Sequence, residues 1–335
     1  MAALGTLNLV GCSPSFERCL ALIRRYAECD ATVLLCGETG TGKELAARAI
    51  HYLGSRRDFA FIPVNCGAIP DSLVENELFG HASGAYTDAR DARAGVIADA
   101  EGGTLFLDEV ETLSPRAQVA LLRFLQDQRY RPLGGRQTLV ANVRIIAASN
   151  ADLSESVRCR SFRQDLLFRL NIMGLEMPPL RERRSDVPLL VEHFVRRFAR
   201  QYGRPEKTLG VASRERLLRY DWPGNVRELE NLVHREFLLA DGPEFEIPAA
   251  SLDPTRLTAL DEPRRIGAAR ALPAFKIAKA RAIADFERGY LAQLLVETNG
   301  NVSAAARRCG KERRALGRLL KKHGFGRAEY GAEPI

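Results

Sequence analysis

The chain has 335 residues and a mass of 37.1 kDa, which is room for one large domain and one or two small ones. Hydrophobic residues make up 46% and charged residues 27% of the sequence, proportions that exclude fibrous and disordered classes. The net charge of +7 only modestly favours a polyanionic partner, and no apolar run approaches the roughly 18 residues of a membrane span, so we expect a cytoplasmic protein with no membrane partner.

Short apolar runs alternate with helical stretches from about residue 20 to residue 180. The runs include "ATVLLCG", "GGTLFLDEV" and "NVRIIAASN", and such continuous runs are typical of parallel strands that helices cover on both faces. The pattern predicts an α/β fold with a parallel sheet. From Pro188 the apolar positions take helical spacing, which indicates a small helical subdomain.

The C-terminal third contains a stretch rich in proline and a further helical segment. Five prolines lie between residues 243 and 273, and prolines at this density are typical of linkers. We therefore predict four parts: an α/β subdomain at 1–180, a helical lid at 181–241, a linker at 242–279 and a small all-α domain at 280–327.

A glycine-rich segment, "GETGTGKE", follows the apolar strand "TVLLC" and precedes a helical run. Strand, G-x-x-x-x-G-K loop and helix together predict a phosphate-binding loop, or P-loop. Its backbone N–H groups would curve around phosphates while the lysine reaches the outer oxygens. Glutamate follows the lysine, where serine or threonine often binds Mg²⁺, so the metal would be held through water. The predicted nucleotide-binding residues here are Gly37, Glu38, Thr39, Gly40, Thr41, Gly42, Lys43 and Glu44.

Two other predicted strands end in polar side chains. "TLFLDEV" ends with Asp108 and Glu109, and "RIIAASN" ends with Asn150. Open α/β sheets bind ligands at the carboxyl ends of their strands. Beside a P-loop, Asp108 is predicted to hold Mg²⁺, Glu109 to polarise the attacking water and Asn150 to sense the γ-phosphate.

Three arginines are further candidates. "FRQDLLFRL" places Arg163 and Arg169 six residues apart, and guanidinium groups stabilise charge on a transferring phosphoryl group. From the residues alone, two solvated helix arginines remain the alternative. In "WPGNVRELENLV", Arg227 opens a helix from which it could face the nucleotide.

These motifs occur in one order together with "NCGAI", "ENELFGHASGAYTDA" and "PPLRERRSDVPLL". From about Val10 to Asp241, the chain resembles the AAA+ domain of sigma-54-dependent transcription activators, the NtrC-like bacterial enhancer-binding proteins. The resemblance implies an AAA+ P-loop ATPase that uses ATP and Mg²⁺, in which glutamate after the P-loop lysine is usual. It also implies a hexameric ring, with a dimer or lower oligomer as the inactive form.

The resemblance assigns roles to particular residues. It implies that Asn65 couples the nucleotide state to Glu109, that Arg163 and Arg169 act across subunits, and that Arg227 is the second sensor.

The stretch "GHASGAYTDARDA" corresponds in that family to a mobile loop whose tip reads G-A-F-T-G-A and contacts sigma-54. Here the tip positions are Gly84, Ala85, Tyr86, Thr87, Asp88 and Ala89. The aspartate adds a charge where glycine would have free access to positive φ. Our main hypothesis is ATP-driven remodelling of closed complexes of the sigma-54 RNA polymerase holoenzyme. The alternative is a transcription regulator with nucleotide-controlled assembly that does not engage sigma-54.

The final segment, "NGNVSAAARRCGKERRALGRLLKKHGF", has the form of a helix, a glycine turn and a second helix, with Asn301 or Ser303 as the first N-cap. It resembles the Fis-type helix-turn-helix of the same family, which implies binding to enhancer-like DNA sites. A solvated basic helix face is the alternative. The candidate DNA-binding residues are Arg313, Arg314, Arg318, Lys321 and Lys322.

The predicted ATPase motifs begin within the first dozen residues, so we expect no sensor segment ahead of them. We therefore expect control by a separate protein acting in trans, by expression level or by assembly on DNA.

Overall fold

The computed structural model describes residues 8–85, 91–252 and 301–323, together with residues 287, 290, 291, 294, 295, 297 and 298. The chain forms two compact units, which divide after Ala259. Among the described residues, no helix is both long enough and apolar enough to cross a bilayer.

The strands of the first unit include five that form a central sheet. In chain order the strands are β1 (Val33–Cys36), β2 (Phe61–Asn65), β3 (Gly80–His81), β4 (Arg93–Ala94), β5 (Thr104–Asp108), β6 (Arg129–Tyr130), β7 (Leu139–Val140), β8 (Arg144–Ser149), β9 (Met173–Glu176), β10 (Thr208–Leu209) and β11 (Glu244–Phe245). The sheet order is β2-β5-β8-β1-β9, and every neighbouring pair is parallel. The predicted α/β fold with a parallel sheet is confirmed.

The α-helices surround the sheet and build the remaining parts. They are α1 (Pro14–Ala27), α2 (Lys43–Tyr52), α3 (Asp71–Phe79), α4 (Val96–Asp99), α5 (Pro115–Asp127), α6 (Leu153–Arg158), α7 (Gln164–Leu170), α8 (Val187–Tyr202), α9 (Val211–Arg219), α10 (Asn225–Leu239), α11 (Val302–Arg308) and α12 (Arg313–Lys322). Short 3-10 helices occur at Cys66–Ala68, Val110–Thr112, Leu180–Glu182, Arg184–Asp186 and Ala249–Leu252.

Alternate residues of the central strands face opposite cores, as the two-residue period of a strand requires. Val33 and Leu35 pack into one core with α1 and α2, whereas Leu34 packs into the other core with α3, α5 and α7. Both faces of the sheet are therefore buried, which explains why its strands are continuous apolar runs in the sequence.

The lid follows the sheet and has its own core around the fully buried Trp222. Helices α8, α9 and α10 contribute to this core, and so do Phe245 and Ile247. Strand β11 pairs with β10. The lid therefore extends past the predicted boundary at residue 241, because two buried side chains of the proline-rich stretch complete its core. The rest of the predicted linker, from residue 253, lies outside the described residues.

In the second unit, α11 and α12 pack through small and aliphatic side chains around a turn at Gly310, whose φ is 66°. The Asn301 side chain accepts hydrogen bonds from the N–H groups of Ser303 and Ala304 at 3.1 and 3.0 Å. Of the two cap candidates, Asn301 is therefore the one that caps α11.

A buried carboxylate fastens the lid to the start of α1. Asp186 is fully buried, and its oxygens accept from the N–H groups of Cys12 and Ser13 at 2.7 and 2.8 Å and from the Ser13 hydroxyl at 2.7 Å. Ser13 also caps α1. The segment before α1 and the lid are thus joined by three hydrogen bonds to one buried side chain.

Replacing Asp186 with alanine leaves three donors without their acceptor, so Asp186→Ala should lower the free energy of unfolding by about 3 kcal/mol in urea denaturation. Asp221→Ala is the matched control, because Asp221 forms an exposed ion pair with Arg184, and it should change the value by less than about 1 kcal/mol. An equal effect of the two substitutions would contradict this anchor.

Candidate functional site

The candidate residues of four separate motifs meet at the carboxyl edge of the sheet. In the parallel register Asn65 lies opposite Asp108, and Cys36, the residue before the P-loop, lies opposite Ser149, the residue before Asn150. Strand ends that are far apart in sequence are therefore neighbours in space.

The P-loop has the backbone conformation that its glycines allow. Gly37, Gly40 and Gly42 have φ angles of 144°, 79° and 102°, a region that residues with a Cβ adopt at a cost. Lys43 then opens α2 with only 6% of its surface exposed. The loop and the helix N-terminus together form the type of site that binds phosphate groups.

The Lys43 ammonium group is held by the loop and by the neighbouring strand. Its Nζ donates to the carbonyls of Gly37 and Glu38 at 2.7 and 3.1 Å and to Oδ1 of Asn150. Burial lowers the pKa of Lys43, and the nearby carboxylates of Asp108 and Glu111 oppose that shift. The Lys43 ammonium group is therefore surrounded by acceptors that an incoming anion could replace.

The other loop side chains make contacts of their own. Thr41 donates its hydroxyl to the Glu38 carbonyl at 2.8 Å, and the Glu38 carboxylate pairs with Arg181 of the lid. Glu44 is exposed and forms an ion pair with Arg48 one turn further along α2, at 2.8 Å. Its carboxylate is therefore engaged by that arginine.

The acidic pair lies beside Lys43. Asp108 is half-buried and accepts from the Glu109 N–H at 3.0 Å. Burial raises the pKa of the Asp108 carboxyl, and both this hydrogen bond and Lys43 oppose the shift. Glu109 has φ 57° and ψ 46°, a left-handed conformation that costs about 1 to 3 kcal/mol for a residue with a side chain. Such strain is typical of functional sites.

Asn150 connects the basic and acidic sides of the site. Its Oδ1 accepts from Lys43, and its Nδ2 donates to Glu109 Oε1 at 3.4 Å. Its own N–H donates to Glu111 Oε1 at 3.0 Å. A single amide therefore contacts both the predicted phosphate-binding lysine and the predicted water-activating carboxylate.

Gly67 makes room for the Glu109 side chain. A Cβ on Gly67 would lie 2.5 Å from Glu109 Oε2 and 3.3 Å from Asn65 Oδ1, so a larger residue there would displace the end of the Glu109 side chain. Sequence reasoning did not single out Gly67 or Glu111. The available signals were the glycine within "NCGAI" and a second acid two residues after Glu109.

The three candidate arginines occupy different places. Arg163 forms hydrogen bonds of 3.0 and 2.7 Å with Asp165. The Arg169 side chain is exposed and has no ion pair or hydrogen bond to any residue that the structure describes. Neither side chain forms a hydrogen bond or ion pair with the described P-loop. Arg227 does lie against it, because a Cβ on Gly40 would be 3.1 Å from the Arg227 Cβ.

The site offers few protein ligands for a metal ion. Within the described part of the chain, no three His, Cys, Asp or Glu side chains cluster closely enough to hold one. Mg²⁺ usually keeps several waters and is bound by one or two carboxylates together with substrate phosphates. A single half-buried carboxylate such as Asp108 fits that mode.

The loop of residues 80–92 is described only at its base. Gly84 has a φ of 77°, and Ala85 lies within contact distance of Gly134. Leu133 forms backbone hydrogen bonds with Gly80 and Ala82 at 2.8 and 2.9 Å. The remaining tip candidates, Tyr86, Thr87, Asp88 and Ala89, lie outside the described residues.

The basic residues of α12 are exposed on the helix, while Leu316 and Leu320 face the core. Lys322 forms an ion pair with Glu287 at 3.2 Å. The other four candidates have no ion pair to residues within the described part of this unit. They are Arg313, Arg314, Arg318 and Lys321. This face of α12 therefore presents positive charge to solvent.

Known proteins resemble the chain along nearly its whole length. Residues 9–176 match the Sigma-54 interaction domain, residues 181–263 the AAA+ ATPase lid domain, and residues 282–323 the Fis family of bacterial regulatory proteins. Transcriptional regulatory protein ZraR of Salmonella typhi is 41% identical over 318 residues, which are 94% of this chain and 68% of that protein. Transcriptional regulatory protein XylR of Pseudomonas putida is 44% identical, over 93% of this chain and 56% of its own length.

A solved structure agrees with these matches. The crystal structure of NtrX from Brucella abortus in complex with ADP has 34% identity and a TM-score of 0.70, and the match covers 95% of this chain and 69% of NtrX. With the parallel sheet, the P-loop and the exposed basic helix, these matches identify the chain as a member of the sigma-54-dependent transcriptional regulators, with an AAA+ domain, a lid and a Fis-type helix-turn-helix.

Proposed function

We propose that this chain hydrolyses ATP and uses the hydrolysis cycle to remodel sigma-54 RNA polymerase closed complexes, while its helix-turn-helix holds it on enhancer-like DNA. The observation that carries the ATPase proposal is the chain of contacts from Lys43 through Asn150 to Glu109. One end of that chain is suited to a terminal phosphate and the other end to the water that attacks it.

Lys43 is proposed to bind the outer phosphates. It now donates to two carbonyls and one amide oxygen, and anionic phosphate oxygens are stronger acceptors than these neutral groups. The amide of Asn150 would then be free to report on the γ-phosphate. Arg227 lies on the lid side of the P-loop. It is proposed to act as the second sensor of the nucleotide that its own chain binds.

Glu109 is proposed to orient and polarise the attacking water. Asn65 reaches the same niche at Gly67, which supports a role in setting the position of the Glu109 carboxylate. Asp108 is the proposed protein ligand of Mg²⁺, directly or through water. When bound, the metal would neutralise charge on the β and γ oxygens.

Arg163 and Arg169 are proposed to act on the nucleotide of a neighbouring copy. Both are exposed and neither side chain forms a hydrogen bond or ion pair with its own P-loop, so a ring of subunits, which we propose to be a hexamer, would supply the missing positive charge. Arg163 would have to break its ion pair with Asp165 before it could bind a phosphate. Arg169 has no ion pair to break among the described residues. This supports Arg169 as the more readily available of the two.

The polymerase contact is assigned to the loop that carries Gly84 to Ala89. Its base is held by backbone hydrogen bonds to Leu133, so movement of the α3 and β6 regions would reach the tip. In a purified assay with sigma-54 polymerase, we expect open complexes that depend on ATP. No ATP-dependent open complex would contradict the proposal.

The alternative function has its own test in the same assay. If Asp88 prevents engagement of sigma-54, then Asp88→Gly should strongly increase sigma-54 binding and open-complex formation. Unchanged binding in that variant, with an active wild-type protein, would exclude the alternative.

The catalytic roles predict different defects for two substitutions. Glu109→Gln should still bind ATP but hydrolyse it about 100-fold more slowly or worse, because the water loses its base. Lys43→Ala should instead weaken nucleotide binding. Phosphate release and fluorescent-nucleotide titration measure the two effects, and wild-type hydrolysis by Glu109→Gln would refute the assigned role.

The DNA-binding role predicts that Arg314→Ala lowers affinity for a specific site about tenfold and reduces the slope of log affinity against log salt by about 0.9. Lys322→Ala is the matched control, and its effect should be smaller because Glu287 already neutralises that lysine. Fluorescence anisotropy at several salt concentrations measures both. Site-specific binding by a chain truncated after residue 275 would contradict the assignment.

A further inference from the structure

The lid forms hydrogen bonds with four successive P-loop residues, 38 to 41. The strongest contact is at Glu38, whose two carboxylate oxygens accept from the Arg181 guanidinium at 2.8 and 2.6 Å. The Asn225 amide donates to the same carboxylate at 3.1 Å. Two donors from separate parts of the lid therefore converge on one P-loop side chain.

The next three P-loop carbonyls also accept from the lid, each at 3.0 Å. Asn225 Nδ2 donates to the Thr39 carbonyl, the Val226 N–H to Gly40 and Arg183 Nη2 to Thr41. In a trans peptide the C=O and the following N–H point in opposite directions. Carbonyls held towards the lid therefore turn the following N–H groups away from it, and backbone N–H groups are what a P-loop offers to phosphate.

Asn225 is the centre of this arrangement. It is fully buried with a φ of 53°, a left-handed conformation that asparagine tolerates better than most residues. Its Oδ1 accepts from the Leu180 N–H at 2.8 Å, while its Nδ2 contacts Glu38 and Thr39. One side chain thus joins the P-loop, the first residues of the lid and the start of α10.

An exposed ion pair by itself contributes little, because solvent screens it and two long side chains must be ordered. The Glu38 contact differs in geometry. It is a two-pronged arginine–carboxylate pair with a third hydrogen bond from a buried amide. The hydrogen bonds from Arg181 and Asn225 also lower the pKa of the Glu38 carboxyl, as expected for a carboxylate that is held in its charged form.

We propose that Glu38 is a positioning residue that latches the lid to the P-loop through Arg181 and Asn225, and that this latch slows the release of bound nucleotide. The inference rests on the proposed nucleotide site. Glu38 was predicted as part of the phosphate loop, but its carboxylate points to the lid and would repel phosphate. Its contribution is to hold the loop and the lid as one body around the ligand.

The test is a stopped-flow chase of fluorescent ADP from the full-length chain. Glu38→Gln and Arg181→Met should each release ADP about tenfold faster, with little change in the association rate. The double variant should be no faster than either single variant, because both remove the same latch. The unchanged association rate separates a latch from a general loosening of the fold.

The matched control is Arg216→Met, which removes a 3.2 Å ion pair with Glu246 that has similar exposure and lies within the lid. Its ADP release should stay within about twofold of wild type. Thermal unfolding without nucleotide should remain cooperative in all these variants, which shows that each of them still folds. Equal acceleration by the control, or release effects of Glu38→Gln and Arg181→Met that multiply in the double variant, would overturn the latch.

The same measurement distinguishes failure of the latch from failure of the nucleotide site. Normal ADP binding by the wild type with unchanged release in both Glu38→Gln and Arg181→Met would overturn the latch alone. A wild-type chain that binds no fluorescent ADP would overturn the nucleotide site, and the latch with it.

Discussion

The register of the parallel sheet is the constraint on which the rest of the structure depends. Because both faces of β5 and β8 are buried, a slip of one residue would turn their apolar side chains into the wrong core. The same register places Asn65 opposite Asp108 and Asn150 just beyond Ser149, which lies opposite the last residue before the P-loop. Core packing therefore fixes the spacing of the polar groups at this sheet edge, where Glu109 takes its left-handed conformation.

The lid completes the site from the other side. Asp186 fastens it to the start of α1, and Arg183 and Asn225 fasten it to the P-loop. Lid and loop are thus joined by buried polar groups. Under the proposed function, a change at the phosphates would move the lid through these contacts, and in the proposed ring that movement would reach the neighbouring subunit.

Sequence reasoning predicted the parts whose signals are local. The P-loop, the acids after β5 and the asparagine after β8 each follow an apolar run directly, so their meeting at one sheet edge follows from the α/β fold. Other features arise from packing between distant segments, which no local pattern encodes. They are the space at Gly67 for the Glu109 side chain, the hydrogen bond from Asn150 to Glu111 and the hydrogen bonds of Asn225 to the P-loop. The predicted end of the lid at residue 241 comes too early, because Phe245 and Ile247 lie among prolines in the sequence but pack against side chains of α8, α9 and α10. The roles of the individual site residues, and the tip of the loop around Asp88, remain predictions.

In the proposed ring, one protomer supplies Lys43 and Glu109 while its neighbour supplies Arg169. Mixing two inactive variants, Lys43→Ala and Arg169→Ala, and measuring ATP turnover tests this arrangement. Random mixing in equal amounts pairs an intact P-loop with an intact neighbouring arginine at about a quarter of the interfaces. The mixture should therefore recover about a quarter of wild-type turnover, although each variant alone has almost none. Turnover no greater than the sum of the two separate variants would show that the site is not shared in this way.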